Sequence, residues 1–350
     1  MGLVKDTAAV IFTHKPVCSI CIANYNGEAV IGPCLESIYN QDFDLPLEII
    51  IHDDASTDTS VDIIRNRFPD VTLIVSASNV GYCVSNNRMV SRARGRYILL
   101  LNNDAVLHRD SVRTFYDHAE QHSRPAILGL PQFNMQTGEL IDRGSLFDPF
   151  LNPVPNLDPG RADVGMVMGA CFWIPKALWE ELGGFPEWFG SLAEDMYLCC
   201  LARLRGYSVT VLPESGYDHW VGRSFSGGKV VRNVLQTSYQ RRQMSERNKS
   251  YTFFICWPSV LAYPCFALHL ILLSLEGLLL SGIKGDRKIL EKIYLPCLRS
   301  LWKDRNLLRR ERSSVQASRM VGMARFFSVF TWVPYKMKML IRFGLPTIRQ

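Results

Sequence analysis

Between residues 17 and 104 the sequence alternates apolar runs with amphipathic segments. The apolar runs are VCSICIANY, LEIIIHDD, VTLIVSAS and RYILLLNND, and the segments GPCLESIYNQ, TSVDIIRNRF and VSNNRMVSRARG between them have helical spacing. Strands that are apolar along their whole length are buried on both faces, which is typical of a parallel sheet covered by helices. The pattern predicts an α/β doubly wound fold, with a mainly parallel central sheet flanked by helices.

Polar residues follow two of these apolar runs directly. Asp53 and Asp54 end one run, and Asn102, Asn103 and Asp104 end another. In open parallel sheets, ligands bind just beyond the carboxyl ends of the strands. We therefore expect these five side chains to line a ligand site.

Composition narrows the class of protein. With 350 residues, of which 47% are hydrophobic, the chain can bury one large core or a catalytic domain plus an appendage. Its ten cysteines lack the paired CxxC modules of zinc sites, so we expect a reducing compartment and no structural zinc. The N-terminal stretch MGLVKDTAAVIFTHKP has no sustained apolar segment, so no secretory signal is expected and the catalytic part should remain in the cytosol.

The middle of the chain changes character twice. Residues 125–159 are rich in Pro, Gly and Asn and show no clean period, so we expect a loop-rich excursion there. Regular signals return with VGMVMGACFWIP, KALWEELGG, LAEDMYLCCLARLRG and YSVTVLP. These four segments predict a strand, two helices and a final strand.

The composition shifts again after about residue 229. Residues 252–275 carry no formal charge and are long enough to cross a bilayer, although two prolines weaken that interpretation. Later segments mix basic residues with Trp, Phe, Leu and Met, which favours interfacial helices attracted to an anionic membrane surface. The alternative is a helical lid packed on the rest of the protein, with its basic face in solvent. No nucleic-acid partner is expected.

A set of short motifs carries a family resemblance. In chain order they are ANYN (23–26), HDDASTD, NVGYCVSNN, LLLNND, MGACFWIP, GGFPEWF, AEDMYLCCLARLRGY and His219. Together they resemble the family 2 inverting glycosyltransferases with a GT-A fold, especially the rhamnosyltransferase-like branch, over roughly residues 16–225. The resemblance implies transfer of one sugar, rhamnose or another hexose, from a nucleotide diphosphate donor.

The resemblance also implies roles for particular residues. Nucleotide-sugar contacts fall on Ala23, Tyr25, Glu28, Asp53, Asn87, Asn102 and Asn103. A carboxylate at a strand end can accept a hydrogen bond from a base or ribose, and a tyrosine offers a ring and a hydroxyl. The alternative for the segment from Asp53 to Asp58 is a helix N-cap, with Ser56 or Asp58 as the capping residue.

The segment NND corresponds to the DxD-type motif of the family, which binds a divalent metal. The expected metal ligands are therefore Asp104 and His219, and the expected cofactor is Mg²⁺ or Mn²⁺, which prefer oxygen ligands. Asn102 departs from the strict motif, so metal binding should depend more on other groups. Read in isolation, NND could be an Asx turn and His219 a structural histidine.

The pair Glu194 and Asp195 matches the acidic motif of the family at the start of a helix. Asp195 is the expected catalytic base, and Glu194 and Trp188 are the expected acceptor contacts. Acidic residues in a first helical turn also interact favourably with the helix dipole, and Trp188 could equally belong to the core.

The resemblance also predicts the domains of the chain, and two other classes of enzyme can be compared with it. It predicts a GT-A catalytic domain over 1–229, with a nucleotide half at 16–124 and an acceptor half at 125–229, and a membrane-associating helical region over 230–350. A dinucleotide oxidoreductase is excluded because no G-x-G-x-x-G turn follows the first strand. A processive synthase is disfavoured because YQRRQMSE lacks the tryptophan of the Q-x-x-R-W motif.

Two questions about substrates and one about enzymatic activity stay open at this point. The donor is expected to be a dTDP-sugar such as dTDP-rhamnose, with a UDP-hexose or UDP-N-acetylhexosamine as the alternative. The acceptor is expected to be a saccharide or lipid-linked saccharide at the cytoplasmic face of the cell membrane. A protein that kept the fold but lost turnover, and serves as a sugar-binding or membrane scaffold, is the non-enzymatic alternative.

Overall fold

The computed structural model describes residues 5–6, 15–220, 229–231 and 234–349. Within that part of the chain two compact units are found. Unit 1 contains the described residues up to 145 together with 155–202 and 207–220, and unit 2 contains 146–154, 203–206 and the described residues after 220. Most of the N-terminal stretch in which we expect no secretory signal lies outside the described residues.

Unit 1 is built on an eight-stranded sheet with the order β1-β4-β3-β2-β5-β12-β7-β13. The strands are β1 Lys5–Asp6, β2 Cys18–Asn24, β3 Leu47–Asp53, β4 Thr72–Val75, β5 Tyr97–Leu101, β7 Ala126–Gly129, β12 Cys171–Pro175 and β13 Ser208–Val211. Strands β4, β3, β2 and β5 are parallel neighbours, whereas β12 runs antiparallel between β5 and β7. The predicted strands are therefore present, and the polar ends of β2, β3 and β5 lie at one edge.

Six helices follow these strands along the chain. They are α1 Ile31–Tyr39, α2 Ser60–Arg67, α3 Tyr82–Arg92, α4 Ser111–Gln121, α5 Lys176–Leu182 and α6 Glu194–Leu204. All but α4 correspond to segments that the sequence predicts as helical. Helix α1 shows why: Ile31, Cys34, Leu35 and Ile38 recur at helical spacing and are all buried.

The expected loop-rich excursion at 125–159 instead contains five short strands. Besides β7, these are β8 Gln132–Asn134, β9 Leu140–Asp142, β10 Ser145–Phe147 and β11 Pro153–Pro155. The sequence prediction is wrong here because strands of three or four residues are too short to show a period. Strands β8 and β9 join β6 Ala105–Leu107 and β14 Tyr217–His219 in a second sheet of order β6-β14-β8-β9.

Unit 2 is mainly helical. Its helices are α7 Tyr239–Cys256, α8 Ala262–Lys284, α9 Arg287–Ile289, α10 Leu295–Lys303, α11 Arg305–Ala317, α12 Met323–Phe327 and α13 Tyr335–Phe343, with a π-helical turn at Leu290–Tyr294. A small sheet of order β15-β16-β17 is formed by Lys229–Val231, Val234–Ser238 and Thr347–Arg349.

The uncharged segment at 252–275 is divided between two helices, as its two prolines suggest. Helix α7 ends at Cys256, and α8 begins only at Ala262. Pro258 has no N–H to continue the helix and forces the preceding residue out of the helical region, and Trp257 has the extended ψ of 116°. In the described part of the chain, α8 is the one helix long and apolar enough to cross a bilayer, and 22% of its most apolar window is buried.

A cluster of charged side chains joins three helices of unit 2. The carboxylate of Glu246 on α7 accepts hydrogen bonds from Lys249 (2.7 Å) and from Lys336 of α13 (2.7 Å). Glu276 of α8 accepts from the same Lys336 (2.7 Å) and from Arg242 of α7. Such buried ion pairs fix the orientation of helices more than they add net stability. One face of α8 is therefore held toward α7 and α13.

The core of unit 1 packs against the antiparallel strand β12. The indole of Trp173 is fully buried and stacks between Tyr97 (4.9 Å between ring centroids) and Phe115 (5.2 Å). Its Nε1 is buried with no hydrogen-bond partner among the described residues. Trp173 thus contributes through ring packing and not through its polar atom.

We predict that Trp173→Ala lowers the free energy of unfolding by about 3–5 kcal/mol, because it leaves a large cavity between two rings. Trp173→Phe is the matched control. It keeps an aromatic ring and removes the unpaired N–H, so it should cost less than about 1.5 kcal/mol. Urea unfolding followed by circular dichroism measures both, and equal losses would contradict the packing role.

Candidate functional site

The ends of β2, β3 and β5 meet through the side chain of Asn24, which is almost fully buried. Its amide nitrogen donates to Asp53 Oδ2 (2.8 Å) and to Ser60 Oγ (3.0 Å). Its amide oxygen accepts from Asn103 Nδ2 (2.8 Å), which follows β5. One side chain therefore links the ends of three neighbouring strands.

Asp53, a predicted nucleotide contact, is fully buried. Besides Asn24, its carboxylate accepts from the backbone N–H of Ser56 (3.0 Å) and from the hydroxyl of Ser56 (2.6 Å). These bonds shape the turn after β3. A direct contact between Asp53 and a nucleotide stays a prediction, and Ser56 serves this turn and does not cap α2.

Glu28, the second predicted carboxylate, is exposed and bonded to the start of α2. Its Oε2 accepts from the backbone N–H (3.2 Å) and hydroxyl (2.9 Å) of Thr59. In return, the backbone N–H of Glu28 donates to Asp58 Oδ2 (2.9 Å). Burial alone would raise the pKa of Asp58, but hydrogen bonds from Ser60 and Glu28 lower it below its usual value. The two loops are held together by this reciprocal contact.

Tyr25 and Ala23 lie beside this loop pair. Tyr25 is 53% exposed and Ala23 is half-buried. The exposed ring is therefore accessible to a planar ligand at the edge of the sheet. The neighbouring Asn26 has φ 49° and accepts from the backbone N–H of Thr57 (2.9 Å), which fixes the loop that carries the tyrosine.

The two predicted metal ligands are in contact. His219 Nε2 lies 3.1 Å from Asp104 Oδ1, because β14 pairs with β6 in a register that places His219 opposite Ala105. Asn102 Nδ2 lies 3.4 Å from the same ring nitrogen. Asp104 is 4% exposed. The sequence placed these residues more than a hundred positions apart, and the second sheet brings them together.

This donor set fits a divalent cation that is completed by a phosphate ligand. Mg²⁺ and Mn²⁺ are commonly held by one or two carboxylates together with substrate phosphate oxygens. Among the described residues, no group of three or more His, Cys, Asp or Glu side chains is gathered for a metal. The pair of Asp104 and His219 therefore suits a shared site and not a site made by the protein alone.

Tyr82 connects the predicted metal ligands, Asp104 and His219, with the predicted base, Asp195. Its hydroxyl lies 3.2 Å from Asn102 Oδ1 and 3.1 Å from the carbonyl oxygen of Gly169. The backbone N–H of Gly169 donates to Asp195 Oδ2 (2.9 Å). Burial, followed by the charges of Glu194 and Asp195, raises the pKa of Tyr82 well above its usual value, so its hydroxyl stays protonated and donates.

The acidic pair begins helix α6, and both side chains are buried. The two residues before it, Leu192 and Ala193, have φ of 70° and 65°. Such left-handed conformations cost a non-glycine residue about 1 kcal/mol or more and are concentrated at functional sites. The helix is therefore entered through a strained turn that aims Asp195 at Gly169, in the turn that precedes β12.

Asn87, a predicted donor contact, bonds to the backbone of Phe185. Its side-chain amide donates to the carbonyl of Phe185 (2.9 Å) and accepts from the N–H of Phe185 (3.0 Å). The segment it holds continues to the half-buried Trp188, whose ring packs edge-on against Phe189 (4.7 Å). A sugar contact by Asn87 or Trp188 stays a prediction.

The sequence placed Asp54 at the site without predicting its partners, and sequence reasoning missed the role of Gly81. Asp54 accepts from the backbone N–H groups of Val80 (2.6 Å) and Gly81 (2.9 Å), which positions the start of α3. Gly81 has φ 90° and lies close to the backbone of Gly190. In the sequence, these residues are visible as the second Asp of HDD and the glycine of NVGYC. Neither motif identifies the residue that it contacts.

Comparisons with known proteins give the family and the fold that the chain resembles. Residues 19–183 match the family model described as Glycosyl transferase family 2. Over 211 residues the chain is 32% identical to the poly(ribitol-phosphate) beta-glucosyltransferase of Bacillus spizizenii, covering 59% of this chain and 32% of that protein. Over 184 residues it is 23% identical to the N-acetylglucosaminyl-diphospho-decaprenol L-rhamnosyltransferase of Mycobacterium tuberculosis, covering 44% and 60%. The chain thus matches less than two thirds of the length of either relative.

The fold also has a solved counterpart. The crystal structure of S. aureus TarS 1-349 in complex with UDP-GlcNAc superimposes with a TM-score of 0.51 at 17% identity, covering 86% of this chain and 88% of that chain. At this identity the likeness concerns the fold alone. It confirms the predicted GT-A fold.

We predict that Gly27→Ala disrupts the site. A Cβ at this position would lie 2.1 Å from Asn24 Oδ1 and 2.6 Å from Asn103 Nδ2, so the hydrogen bond between these amides must break. Loss of a buried hydrogen bond costs about 1–3 kcal/mol. Thermal unfolding should show a lower Tm. In Gly282→Ala the added Cβ meets nothing within 4 Å, so that variant should not lose stability.

Proposed function

We propose that the chain transfers one sugar from a nucleotide diphosphate donor to a saccharide or lipid-linked acceptor, with inversion at the anomeric carbon. The match of residues 19–183 to the family model of glycosyl transferase family 2 supports this proposal. The observation that carries the proposal is a continuous set of contacts. It runs from Asp104 and His219 through Asn102 and Tyr82 to Gly169 and Asp195. A cation site and a buried carboxylate are thereby coupled within unit 1.

The residues divide the chemistry between them. Asp104 and His219 would hold Mg²⁺ or Mn²⁺ against the donor diphosphate, and the ion neutralises negative charge on the leaving group. The acceptor hydroxyl oxygen forms the new bond to the anomeric carbon as the bond to the diphosphate oxygen breaks. Its proton passes to the carboxylate of Asp195, and the nucleoside diphosphate leaves with the bonding electrons.

Asp195 suits the role of base because its orientation is fixed. The hydrogen bond from Gly169 and the strained entry into α6 restrict its carboxylate before any acceptor arrives. Preorganisation of this kind lowers the cost of reaching the reactive geometry. Glu194, its buried neighbour, is proposed to orient the acceptor.

The nucleotide is proposed to bind at the edge formed by β2 and β3. Tyr25 offers an exposed ring for the base, and Ala23, Glu28, Asp53, Asn87, Asn102 and Asn103 complete the proposed donor contacts. The reciprocal bonds between Glu28 and the start of α2 give this edge a fixed shape. A fixed shape favours a planar ligand of constant size, such as a nucleoside.

For the donor we propose a dTDP-linked deoxyhexose such as rhamnose. The NND form of the metal motif resembles the rhamnosyltransferase-like branch, and one relative is named as an L-rhamnosyltransferase. The alternative donor is a UDP-hexose or UDP-N-acetylhexosamine, which the names of the glucosyltransferase relative and of the TarS complex favour. Contacts worth about 1–3 kcal/mol decide between such closely related sugars.

We further propose that unit 2 binds the cytoplasmic face of an anionic membrane. Residues 284–349 contain sixteen lysine and arginine residues against four acidic ones. Helix α8 exposes a stripe of aliphatic side chains at helical spacing: Leu268, Ile271, Leu272, Leu275, Leu278, Leu279 and Ile283. Its buried face carries Leu273, Gly277 and Leu280. At the border of that face, Glu276 is bonded to Arg242 and Lys336. An apolar stripe next to excess positive charge suits a helix that lies in the lipid interface.

Activity is tested with a panel of dTDP-, UDP- and GDP-sugars, Mg²⁺ or Mn²⁺, and a lipid extract as acceptor source. We expect turnover of one donor, and a loss of about 10²–10⁴-fold in kcat for Asp195→Asn. Asp104→Ala should lose activity and metal dependence together. Asp44→Asn, at a side chain that is 96% exposed, is the control and should leave turnover unchanged.

The outcomes separate the two readings of the protein. Metal-dependent turnover that both site variants abolish supports the proposed transferase. Nucleotide-sugar binding without turnover, in the presence of the acceptor extract, would instead support a sugar-binding or scaffold role.

Membrane binding is tested by flotation of the full chain with vesicles of anionic and zwitterionic lipid. The triple variant Ile271→Ser, Leu275→Ser and Leu278→Ser removes three exposed aliphatic groups. At about 1 kcal/mol each, their loss should weaken binding to anionic vesicles about 100-fold.

A matched triple variant controls for the general effect of removing apolar surface. It carries Tyr39→Ser, Leu45→Ser and Leu157→Ser, which change exposed apolar residues of unit 1. This control should float like the unchanged protein. Equal flotation of the α8 variant and the unchanged protein would rule out the α8 stripe as the binding surface.

A further inference from the structure

We infer that Gln132 is a positioning residue that selects which ring nitrogen of His219 carries the proton, and so determines whether Nε2 can bind a cation. The inference rests on the proposed function in taking Asp104 and His219 as the cation pair. It concerns a residue outside the motifs of the sequence analysis. Gln132 lies on β8, next to the strand that carries His219.

The side chain of Gln132 is 3% exposed and bonds to two partners. Its Nε2 lies 3.2 Å from His219 Nδ1, and its Oε1 accepts from the hydroxyl of Tyr217 at 2.8 Å. An amide nitrogen can only donate, so His219 Nδ1 must accept and be unprotonated. In this arrangement the proton is on Nε2, which donates to Asp104 Oδ1 at 3.1 Å. The amide nitrogen of Asn102 can also only donate, but at 3.4 Å from Nε2 it is beyond the usual hydrogen-bond distance and does not compete with that bond.

This tautomer cannot bind a metal through Nε2, because a protonated ring nitrogen has no lone pair to offer. Binding requires the proton on Nδ1, and that proton then needs an acceptor. Rotation of the Gln132 amide by half a turn supplies one, since Oε1 then faces Nδ1. The amide nitrogen then faces Tyr217, whose hydroxyl can accept as well as donate.

Both arrangements therefore give each of Tyr217, Gln132 and His219 a hydrogen-bond partner within the trio, although in the second the hydroxyl hydrogen of Tyr217 no longer has Gln132 Oε1 as its acceptor. The two arrangements differ at Nε2, the other ring nitrogen of His219. With the proton on Nδ1, the lone pair of Nε2 faces the carboxylate of Asp104, which is unfavourable unless a cation lies between them. The cation and the amide orientation consequently stabilise each other. Histidine ligands are commonly oriented through such a bond at the second ring nitrogen.

The first measurement reads the tautomer directly, without metal, donor or turnover. The protein is labelled with nitrogen-15 at its seven histidines, and His219→Ala assigns the His219 signals. In the unchanged protein we expect a protonated Nε2 and an unprotonated Nδ1. In Gln132→Glu, a carboxylate faces Nδ1 and can only accept, so the proton should move to Nδ1.

The second measurement is Mn²⁺ affinity, by calorimetry with Mn²⁺ alone and with Mn²⁺ plus UDP. Outer contacts of this kind change metal affinity by about 10–100-fold. We expect Gln132→Glu to bind Mn²⁺ about tenfold more tightly than the unchanged protein. Gln132→Met, which has similar volume and no acceptor for Nδ1, should bind about tenfold more weakly.

Gln136→Glu is the matched control, because it adds the same charge at an exposed position of the same hairpin. Its histidine spectrum and Mn²⁺ affinity should equal those of the unchanged protein. An unchanged tautomer in Gln132→Glu, or equal Mn²⁺ affinities for Gln132→Glu and Gln132→Met, would overturn the inference. Absence of sugar transfer by the unchanged protein, with the tautomer change observed in Gln132→Glu, would instead count against the proposed function alone.

Discussion

The buried amide of Asn24 is the interaction on which the rest of the site depends. It joins the end of β2 to Asp53 after β3 and to Asn103 after β5, so three parallel strands end in one hydrogen-bonded group. Removing any partner would leave a buried polar atom unsatisfied, at a cost of about 1–3 kcal/mol. This cost fixes the relative positions of the loops that follow the strands. The close approach of Gly27 to both amides shows how little room the arrangement leaves.

The same group also positions the proposed cation ligands, Asp104 and His219. Asn103 is fixed by Asn24, so its neighbours Asn102 and Asp104 face the second sheet in a set orientation. The ladder between β6 and β14 then determines that His219, and no other residue of β14, meets Asp104. Tyr82 extends the connection to Gly169, whose N–H orients Asp195. The geometry of the proposed base is thus linked to that of the proposed cation ligands through backbone and buried side chains.

The sequence predicted the parts of this structure that depend on local pattern. Apolar runs gave the strands β2, β3, β4 and β5, because a buried strand must be apolar whichever neighbours it has. It did not predict that Asp53 would be used internally by Asn24 and Ser56, or that Asn87 would bind the backbone of Phe185. The contact of Asp53 with Asn24 and that of Asn87 with Phe185 join residues 29 and 98 positions apart, and nothing in either segment alone specifies its partner. Gln132 was missed for the same reason, since a glutamine in a short strand has no periodic signature.

The division of the apolar segment 252–275 illustrates the same limit in unit 2. Hydropathy averages over a window, so it cannot separate Thr252 to Cys256, which are buried in α7, from α8, whose aliphatic stripe is exposed. What distinguishes the two faces of α8 is burial: one face, with Leu273, Gly277 and Leu280, is buried. Glu276, at the border of that face, is bonded to Arg242 and Lys336. Because these ion pairs hold one face of α8 against α7 and α13, a crossing of the bilayer would bring their charges into lipid at high cost. An orientation along the membrane surface keeps the ion pairs intact and lets only the aliphatic stripe enter the lipid.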